Sequence, residues 1–457
     1  MHQKQLLFIY FLFSSITLSF AQLSTKHYIP PVPVSNSTPI QEQYLYISTP
    51  KNNNVSYTIT YIGTGFSETD FVSNTSPKEI PIKNPVTGNN DFDSNTQFVV
   101  SNNLNLTNIP LNNRGFIIES EDVIYVSVRV RAASAFHAGA LVSKGQSALG
   151  TEFRIGGLVN EVVGGSFQTF FSLIATENNT DISITINGTT TTETLQENES
   201  YIGSYDDANG NNPNDIIGTL IQSNKPIVVN SGSLNGSFAN ASQGSDYGFD
   251  QIVDYSKVGS EYIFVKGTGS DAWENVLLVA HTDATTITIN GLGISNGIVH
   301  GKGVNVSSAS PAIASPSIDA GDYFLIEGDL YSADGNMYVQ SSAPIFAFQG
   351  IGSGGSEANQ GLFFVPPLKC SSVGDVDNIP EINNIGETNY TGNLNIISKV
   401  GAVITISDDN NANQSISALN IANTLGPFNV TGNANYVSYT ISNLSGNVSI
   451  ISNNELY

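Results

Sequence analysis

Three carboxylates recur at a spacing of four in the segment GSDYGFDQIVD: Asp246, Asp250 and Asp254. Glycoside hydrolases use paired carboxylates to protonate the leaving oxygen and to attack the sugar. A spacing of four in a loop fixes no distance between carboxyl groups, and the same residues also suit turn capping and hydrogen bonding between units. We favour that structural interpretation and keep a polysaccharide-active enzyme with loop carboxylates as an alternative.

A second candidate is the polar segment 207–215, DANGNNPND, which alternates oxygen donors as a calcium loop does. It departs from the EF-hand pattern, because Asn212 stands where the glycine belongs and Gly218 stands where the bidentate glutamate belongs. We favour a plain polar loop, and the sequence predicts no metal site and no cofactor.

A basic island stands out in an acidic chain of net charge −23. Arg129, Arg131, Lys144 and Arg154 lie within 26 positions and are four of the 16 basic residues. They are expected to neutralise carboxylates inside the fold. The alternative, and the only binding site predicted from the sequence, is an anion-binding patch for sialylated or sulfated glycans. The acidity of the whole chain argues against nucleic acid as a partner.

Other chemistry-bearing residues are scattered. The sequence lacks the serine-hydrolase elbow, the H-E-x-x-H zinc motif and the phosphate loop. His27, His137, His281 and His300 stand at unrelated positions, and Cys370 is the single cysteine, which excludes an intramolecular disulfide. We therefore predict no catalytic residues and a protein that is not an enzyme.

Targeting and domain boundaries follow from composition. Residues 1–21 combine Lys4, an apolar run over 6–20 and a small-residue cleavage site, which predicts a signal peptide and a secreted or cell-surface protein. No later apolar run approaches the ~20 residues of a membrane helix, so no membrane insertion of the mature chain is expected. Residues 22–41 are predicted to be an extended lead-in, and 42–457 a domain of β-repeats.

The repeat is clearest at 170–188, FFSLIATENNTDISITING, where Ile182, Ile184 and Ile186 alternate with polar residues. This period of two predicts a half-buried strand, and the apolar run before it predicts its hairpin partner. The pattern returns at 276–291 and, more weakly, at 44–60 and 394–407.

A second pattern closes each unit: a short strand, a polar turn near Ser120, Ser223, Ser341 or Ser442, and a β-rich strand. Four units result. The sequence thus predicts an all-β fold of repeat-built antiparallel sheets, and interlocked spacing without linkers favours a β-propeller over tandem β-sandwiches.

The stretches 131–157, 223–265 and 360–370, together with the repeated strand pair, resemble the bacterial, Bacteroidetes-like branch of the IgGFc-binding protein N-terminal domain family. The resemblance implies a large secreted or surface protein without catalytic residues. Such bacterial proteins often continue into further repeats and a sorting domain, so the β-repeat domain is expected to be truncated at its C-terminus.

These observations predict an exported, non-enzymatic binding and adhesion module whose polar loops recognise a glycoprotein, mucin or polysaccharide. The alternatives are the polysaccharide-active enzyme and a structural repeat of a surface layer.

Overall fold

The computed structural model describes residues 22–34, 38–82, 96–100, 106–132, 137–160, 166–238, 245–271, 274–293, 299–302, 317–353, 356–368, 373–416 and 424–457. These residues form β-strands and short 3₁₀ helices, which confirms the all-β prediction. Within them, no helix has the length and apolarity needed to cross a membrane. The predicted signal peptide at 1–21 and Cys370 lie outside the described residues.

The strands fall into four consecutive units. The first unit contains β1 (Ser24–Ile29), β2 (Val32–Pro33), β3 (Glu42–Ser48), β4 (Val55–Tyr61), β5 (Phe66–Val72), β6 (Lys78–Pro81), β7 (Val99–Val100), β8 (Pro110–Leu111), β9 (Phe116–Arg131) and β10 (Ala138–Val142). The second contains β11 (Gly150–Arg154), β12 (Gln168–Ala175), β13 (Thr180–Ile186), β14 (Thr189–Leu195), β15 (Ser200–Asp206), β16 (Leu220–Gly236) and β17 (Asp246–Ile252).

The third unit contains β18 (Gly259–Val265), β19 (Val276–Ala280), β20 (Thr285–Ile289), β21 (Leu292–Gly293), β22 (Val299–Gly301), β23 (Ser317–Ile318), β24 (Tyr323–Ile326), β25 (Asn336–Ser353) and β26 (Ser356–Phe364). The fourth contains β27 (Val373–Ile379), β28 (Asn384–Ile385), β29 (Thr388–Asn389), β30 (Gly392–Lys399), β31 (Ile404–Asp408), β32 (Asn411–Ser415), β33 (Thr424–Asn429), β34 (Tyr436–Leu444) and β35 (Val448–Glu455). Short 3₁₀ helices occupy Gly145–Ala148, Asp207–Asn209, Pro213–Ile216, Tyr255–Lys257 and Gly328–Leu330.

The first three units share one plan, organised around a long strand: β9, β16 or β25, of 16, 17 and 18 residues. In the second unit, the first half of β16 pairs with β11 and β13, and its second half pairs with β12 and β17. With β14 beside β13 and β15 beside β12, two four-stranded antiparallel layers share this one strand. The sheet therefore curls around its own core.

The polar positions predicted as turns lie inside these long strands. Ser120, Ser223 and Ser341 each donate a side-chain hydrogen bond to the carbonyl two residues later, at 2.7, 2.7 and 2.6 Å. The pairing register of the neighbouring strand shifts at the same place, which marks a β-bulge. The bulge bends the strand into the second layer, and for this reason the structure does not show the propeller that the sequence favoured. Near Ser442 the chain does turn, between β34 and β35.

The predicted hairpin at 170–188 is also different in the structure. Its two strands, β12 and β13, exist, and Ile182 and Ile184 are buried as the alternation indicates. However, β12 and β13 do not pair with each other; each pairs with a different half of β16. The turn between them carries the chain from one layer to the other. The same arrangement holds for β19 and β20 in the third unit.

The fourth unit is built from two main sheets, β27-β35-β31-β32 and β30-β34-β33, and a small two-stranded sheet, β28-β29. Ile396 and Ile441 from one sheet and Ile404, Ile406 and Ile450 from the other share one buried core. The unit is thus a small β-sandwich.

Apolar cores continue across the unit boundaries. One cluster joins the second and third units, and another joins the first unit to Phe170, Leu234, Tyr247 and Phe249 of the second. The closing strands of the first three units, β10, β17 and β26, lie against one another. Part of the predicted lead-in belongs to this body, since residues 24–29 form β1 and pair with β9.

Candidate functional site

The carboxylates of β17 lie between units. Asp246 and Asp250 are 2% and 4% exposed, and their Oδ1 atoms accept hydrogen bonds from the backbone N–H groups of Ala138 and Val142 at 2.8 and 2.9 Å. Asp246 and Asp250 are four residues apart in one extended strand, and Ala138 and Val142 are four residues apart in another. Side chains and N–H groups repeat every two residues along a strand, so the two carboxylates face two N–H groups on the same edge of β10. The spacing of four thus fits an edge of β10 that has no strand partner in the part of the chain that the structure describes.

Asp250 joins three units. Its Oδ2 accepts from the Lys144 ammonium of the first unit at 2.9 Å and from the Phe364 N–H of the third at 3.1 Å. The side chains of Lys144 and Asp250 are 8% and 5% exposed, so the ion pair is almost fully removed from water.

Asp254 makes its contacts within the second unit and at the start of the following 3₁₀ helix. It accepts from the Ser256 N–H at the start of the 3₁₀ helix Tyr255–Lys257 and from the N–H groups of Thr151 and Glu152. The hydrogen bonds lower the pKa of Asp254 despite the opposing effect of burial. All three carboxylates therefore make the structural contacts that we favoured from the sequence.

Arg129 attaches the fourth unit to the first. Its guanidinium donates to the carbonyls of Pro380, Glu381 and Asn384 and lies 4.0 Å from the centre of the Tyr46 ring. A planar group with five donors can satisfy several carbonyls at once, which an ammonium cannot do with the same geometry.

The other basic residues also have partners. Arg131 forms a bidentate pair with Glu42, at 2.6 Å for both bonds, and this contact raises the pKa of Arg131. Arg154 is 8% exposed and donates to the Gly218 carbonyl at 2.9 Å. Arg131 and Lys144 thus neutralise carboxylates inside the fold. An anion-binding patch at the four basic residues stays a prediction.

The polar loop 207–215 forms two 3₁₀ turns. Asp206 caps the first by accepting from the Ala208 N–H, and Asn212 caps the second by accepting from the Asn214 N–H. Asn214 also bonds the backbone of Asn160 in both directions. Among the described residues, no group of three or more His, Cys, Asp or Glu side chains is placed to hold a metal ion.

A cleft of about 730 Å³ lies where the four units meet. Ala138 comes from the first unit, Asp246 from the second, Val265 from the third and Tyr390 from the fourth. Its apolar wall includes Ile263, Ile351, Phe363, Val365 and Leu368. Its volume falls in the range of small-molecule sites, about 300–1,000 Å³.

Amide and hydroxyl groups line the same cleft. Asn395 donates to the Val265 carbonyl at 3.3 Å and accepts from the Thr440 hydroxyl at 3.0 Å. Gln349 donates to the same carbonyl at 2.7 Å and to the Tyr331 hydroxyl at 3.0 Å. These side chains are held in fixed orientations, as a binding site for a polar ligand requires.

The rim of the cleft is fixed by buried groups behind it. The Glu274 carboxylate accepts from the N–H groups of Gly267, Gly269 and Gly352 at 2.8–3.0 Å, and burial raises its pKa. Tyr390, which also lines the cleft, is 42% exposed and interacts with Arg131.

Sequence reasoning missed this cleft, although it singled out Asp246, which lines the cleft, and Arg131, which interacts with the lining residue Tyr390. The wall residues Gln349, Asn395 and Thr440 are common polar residues within strands, and no motif marks them. The only local signal is an aromatic residue in the polar segment around Tyr390. The cleft requires four units to be placed in space, which residue types and spacing do not specify.

Comparisons with known proteins support one assignment. A comparison with curated proteins gives no match. A solved structure of a 1.5-MDa bacterial ice-binding adhesin is similar over 76% of this chain and 98% of that chain, at 11% identity and a TM-score of 0.12, a likeness too low to carry an argument. The family model described as IgGFc binding protein matches residues 138–456. This match covers more than half of the sequence, and the chain therefore belongs to the IgGFc-binding protein family.

Proposed function

We propose that this protein is an exported adhesion module that binds a glycan, carried by a glycoprotein, a mucin or a polysaccharide, in the cleft where the four units meet. The family is a non-enzymatic binding family with extracellular domains, which makes a binding module the general class. The resemblance noted from the sequence supports assignment to its bacterial branch, and residues 1–21 would direct export.

The single observation that carries the proposal is the composition of the cleft. Asn395, Thr440 and Gln349 offer oriented amide and hydroxyl groups beside an apolar wall, and the exposed Tyr390 lines the same cleft. A sugar presents hydroxyl groups around its edge and C–H groups on its faces. Polar groups that fix orientation on an otherwise apolar surface suit this pattern.

Gly361 provides a direct test. It lines the cleft, and a Cβ atom built there meets no atom within 4 Å, so Gly361→Leu adds a bulky side chain at the cleft wall without a backbone clash. Gly293 in β21 is a matched control, because its Cβ position is equally open and it does not line the cleft. We expect G361L to weaken binding to immobilised mucin at least tenfold and G293L to leave it unchanged.

Enzymatically deglycosylated mucin serves as the ligand control. Equal binding of G361L and wild type, or equal binding to mucin with and without its glycans, would contradict the proposal. Release of reducing sugar would support the enzyme alternative, and ordered self-assembly without mucin binding would support the surface-layer alternative. The anion-binding hypothesis predicts weaker binding when sialic acid and sulfate are removed from the mucin.

A further inference from the structure

Asp246, which lines the cleft, accepts hydrogen bonds from the described residues at only one of its two carboxyl oxygens. Oδ1 of Asp246 accepts from the backbone N–H groups of Ala138 and Tyr247, both at 2.8 Å. Among the described residues, no group donates to Oδ2. Because Asp246 is 2% exposed and lines the cleft, Oδ2 is the oxygen available to a molecule bound there.

Asp250, four residues along the same strand, shows what Asp246 lacks. Both side chains are buried, and both Oδ1 atoms accept two backbone N–H groups. The Oδ2 of Asp250 is then compensated by the Lys144 ammonium and the Phe364 N–H. Asp246 has no such cation in the part of the chain that the structure describes. A buried carboxylate without a cation favours taking up a proton.

The titratable groups around Asp246 do not offset the effect of burial, which favours the protonated carboxyl. Tyr247 from the same strand and Tyr390 from the segment before β30 are its electrostatic neighbours. Arg131 lies beyond Tyr390 and is paired with Glu42. The ring of His137, next to Ala138, lies tilted against that of Tyr247 with 5.3 Å between ring centres, and burial lowers the pKa of His137 and so disfavours its cationic form. Burial raises the pKa of Asp246 well above its usual value.

We propose that Asp246 is a specificity-determining group of the cleft, and that its protonated carboxyl donates the Oδ2 hydrogen to an acceptor oxygen of the bound glycan. This inference rests on the proposed function for its ligand. The proton stays on Asp246 while the donor bond forms, so binding requires the neutral acid. Raising the pH through the pKa of Asp246 removes the donor and places a negative charge opposite the acceptor.

Asn at this position reproduces the neutral acid. In Asp246→Asn the side-chain oxygen keeps the two backbone donors, which orients the amide N–H₂ toward the cleft as a permanent donor. Asp246→Ala removes the donor and both acceptor bonds. We expect D246N to bind immobilised mucin within about threefold of wild type at low pH and without pH dependence, and D246A to bind about tenfold more weakly.

The experiment has two readouts on the full mature chain. Infrared difference spectra of wild type against D246N, collected from pH 5 to pH 9, detect the C=O stretch of a protonated carboxyl, which needs no ligand. Binding to mucin is measured over the same range, with His137→Gln as a control for the nearby imidazole. We expect the wild-type spectra to contain the band, and the wild-type affinity to fall only in the pH range where the band disappears.

A missing band overturns the proposal, because Asp246 is then ionised. Loss of the band without a change in affinity, or D246N binding as weakly as D246A, overturns the donor role. A pH dependence that H137Q abolishes assigns the effect to His137 instead. Absence of mucin binding by the wild type overturns the proposed function and the role in recognition, while the band still decides whether Asp246 carries a proton.

Discussion

The ion pair between Lys144 and Asp250 gives the sharpest prediction for stability. In Asp250→Asn the remaining oxygen still accepts from the N–H groups of Val142 and Gln251. The new amide N–H₂ then faces Lys144 and the Phe364 N–H, which are both donors. The substitution therefore leaves a buried ammonium and a backbone donor without an acceptor at the junction of three units.

The magnitude follows from these two losses. Removing one partner of a buried ion pair costs roughly 3–5 kcal/mol, because the other charge stays buried. An unsatisfied backbone N–H costs roughly 1–3 kcal/mol. Since both losses arise at one oxygen they are not fully additive, and we expect D250N to lower the free energy of unfolding by about 5 kcal/mol.

Urea unfolding followed by far-UV circular dichroism measures this change, with D246N as the matched control in the same strand. D246N keeps both bonds of Oδ1 and removes a carboxyl whose pKa is raised by burial. Because the pKa of Asp246 is higher in the folded state than in the unfolded state, the folded state loses stability as pH rises from the unfolded-state pKa toward the folded-state pKa. At pH 7 D246N is therefore expected to be as stable as wild type or more stable.

A double variant completes the test. Lys144→Met removes the uncompensated ammonium, so D250N/K144M should recover at least about 2 kcal/mol relative to D250N alone. A D250N chain that unfolds within 1 kcal/mol of wild type, or a D246N chain that is destabilised as strongly as D250N, would refute the reasoning.

Three further predictions concern other contacts. Arg129→Lys cannot satisfy three carbonyls of the fourth unit, and we expect about 2–3 kcal/mol of destabilisation and faster proteolysis after residue 380. Unchanged stability and unchanged proteolysis would contradict the role of Arg129 in attaching this unit. His27 is fully buried, and burial lowers its pKa to about 4, so its contribution to the free energy of unfolding is fully present above pH 6.5 and falls by roughly 3 kcal/mol as pH drops to 4. H27Q should flatten this part of a plot of unfolding free energy against pH. Gly218→Ala places a Cβ atom 1.9 Å from the Gly321 carbonyl oxygen and should lower the free energy of unfolding, measured by thermal unfolding, by at least about 2 kcal/mol. Gly210→Ala is the control, because Gly210 has a similar φ in open space and its substitution introduces backbone strain without a clash.

The strands were more predictable than their pairing. Alternation at Ile182 and Ile184 correctly identified β13, because side-chain direction in a strand depends only on local geometry. The hairpin interpretation was wrong because a short polar turn can join two strands of one sheet or carry the chain between two layers. The bulges at Ser223 and its equivalents look like turns in the sequence, since a side chain that bonds its own backbone occurs in both.

The candidate site was less predictable. Asp246 and Asp250 are the same residue type with nearly the same burial, yet among the described residues only Asp250 is paired with a buried cation. Lys144 is distant in sequence and belongs to another unit, so no local pattern distinguishes the two carboxylates. The contribution of Tyr390 and Asn395 to the cleft depends on how the fourth unit docks, through Arg129 among others.

The side chains of β17 that cover the edge of β10 also bear on aggregation. An unpaired strand edge is a template on which a second chain can extend the sheet. Here Asp246, Asp250 and Gln251 occupy the N–H groups of Ala138, Val142 and Lys144 that an incoming strand would need. Two sheets therefore lie side by side without merging into one. A chain made of many strands can in this way be lengthened by further units without creating a continuous hydrogen-bonded ribbon that recruits its neighbours.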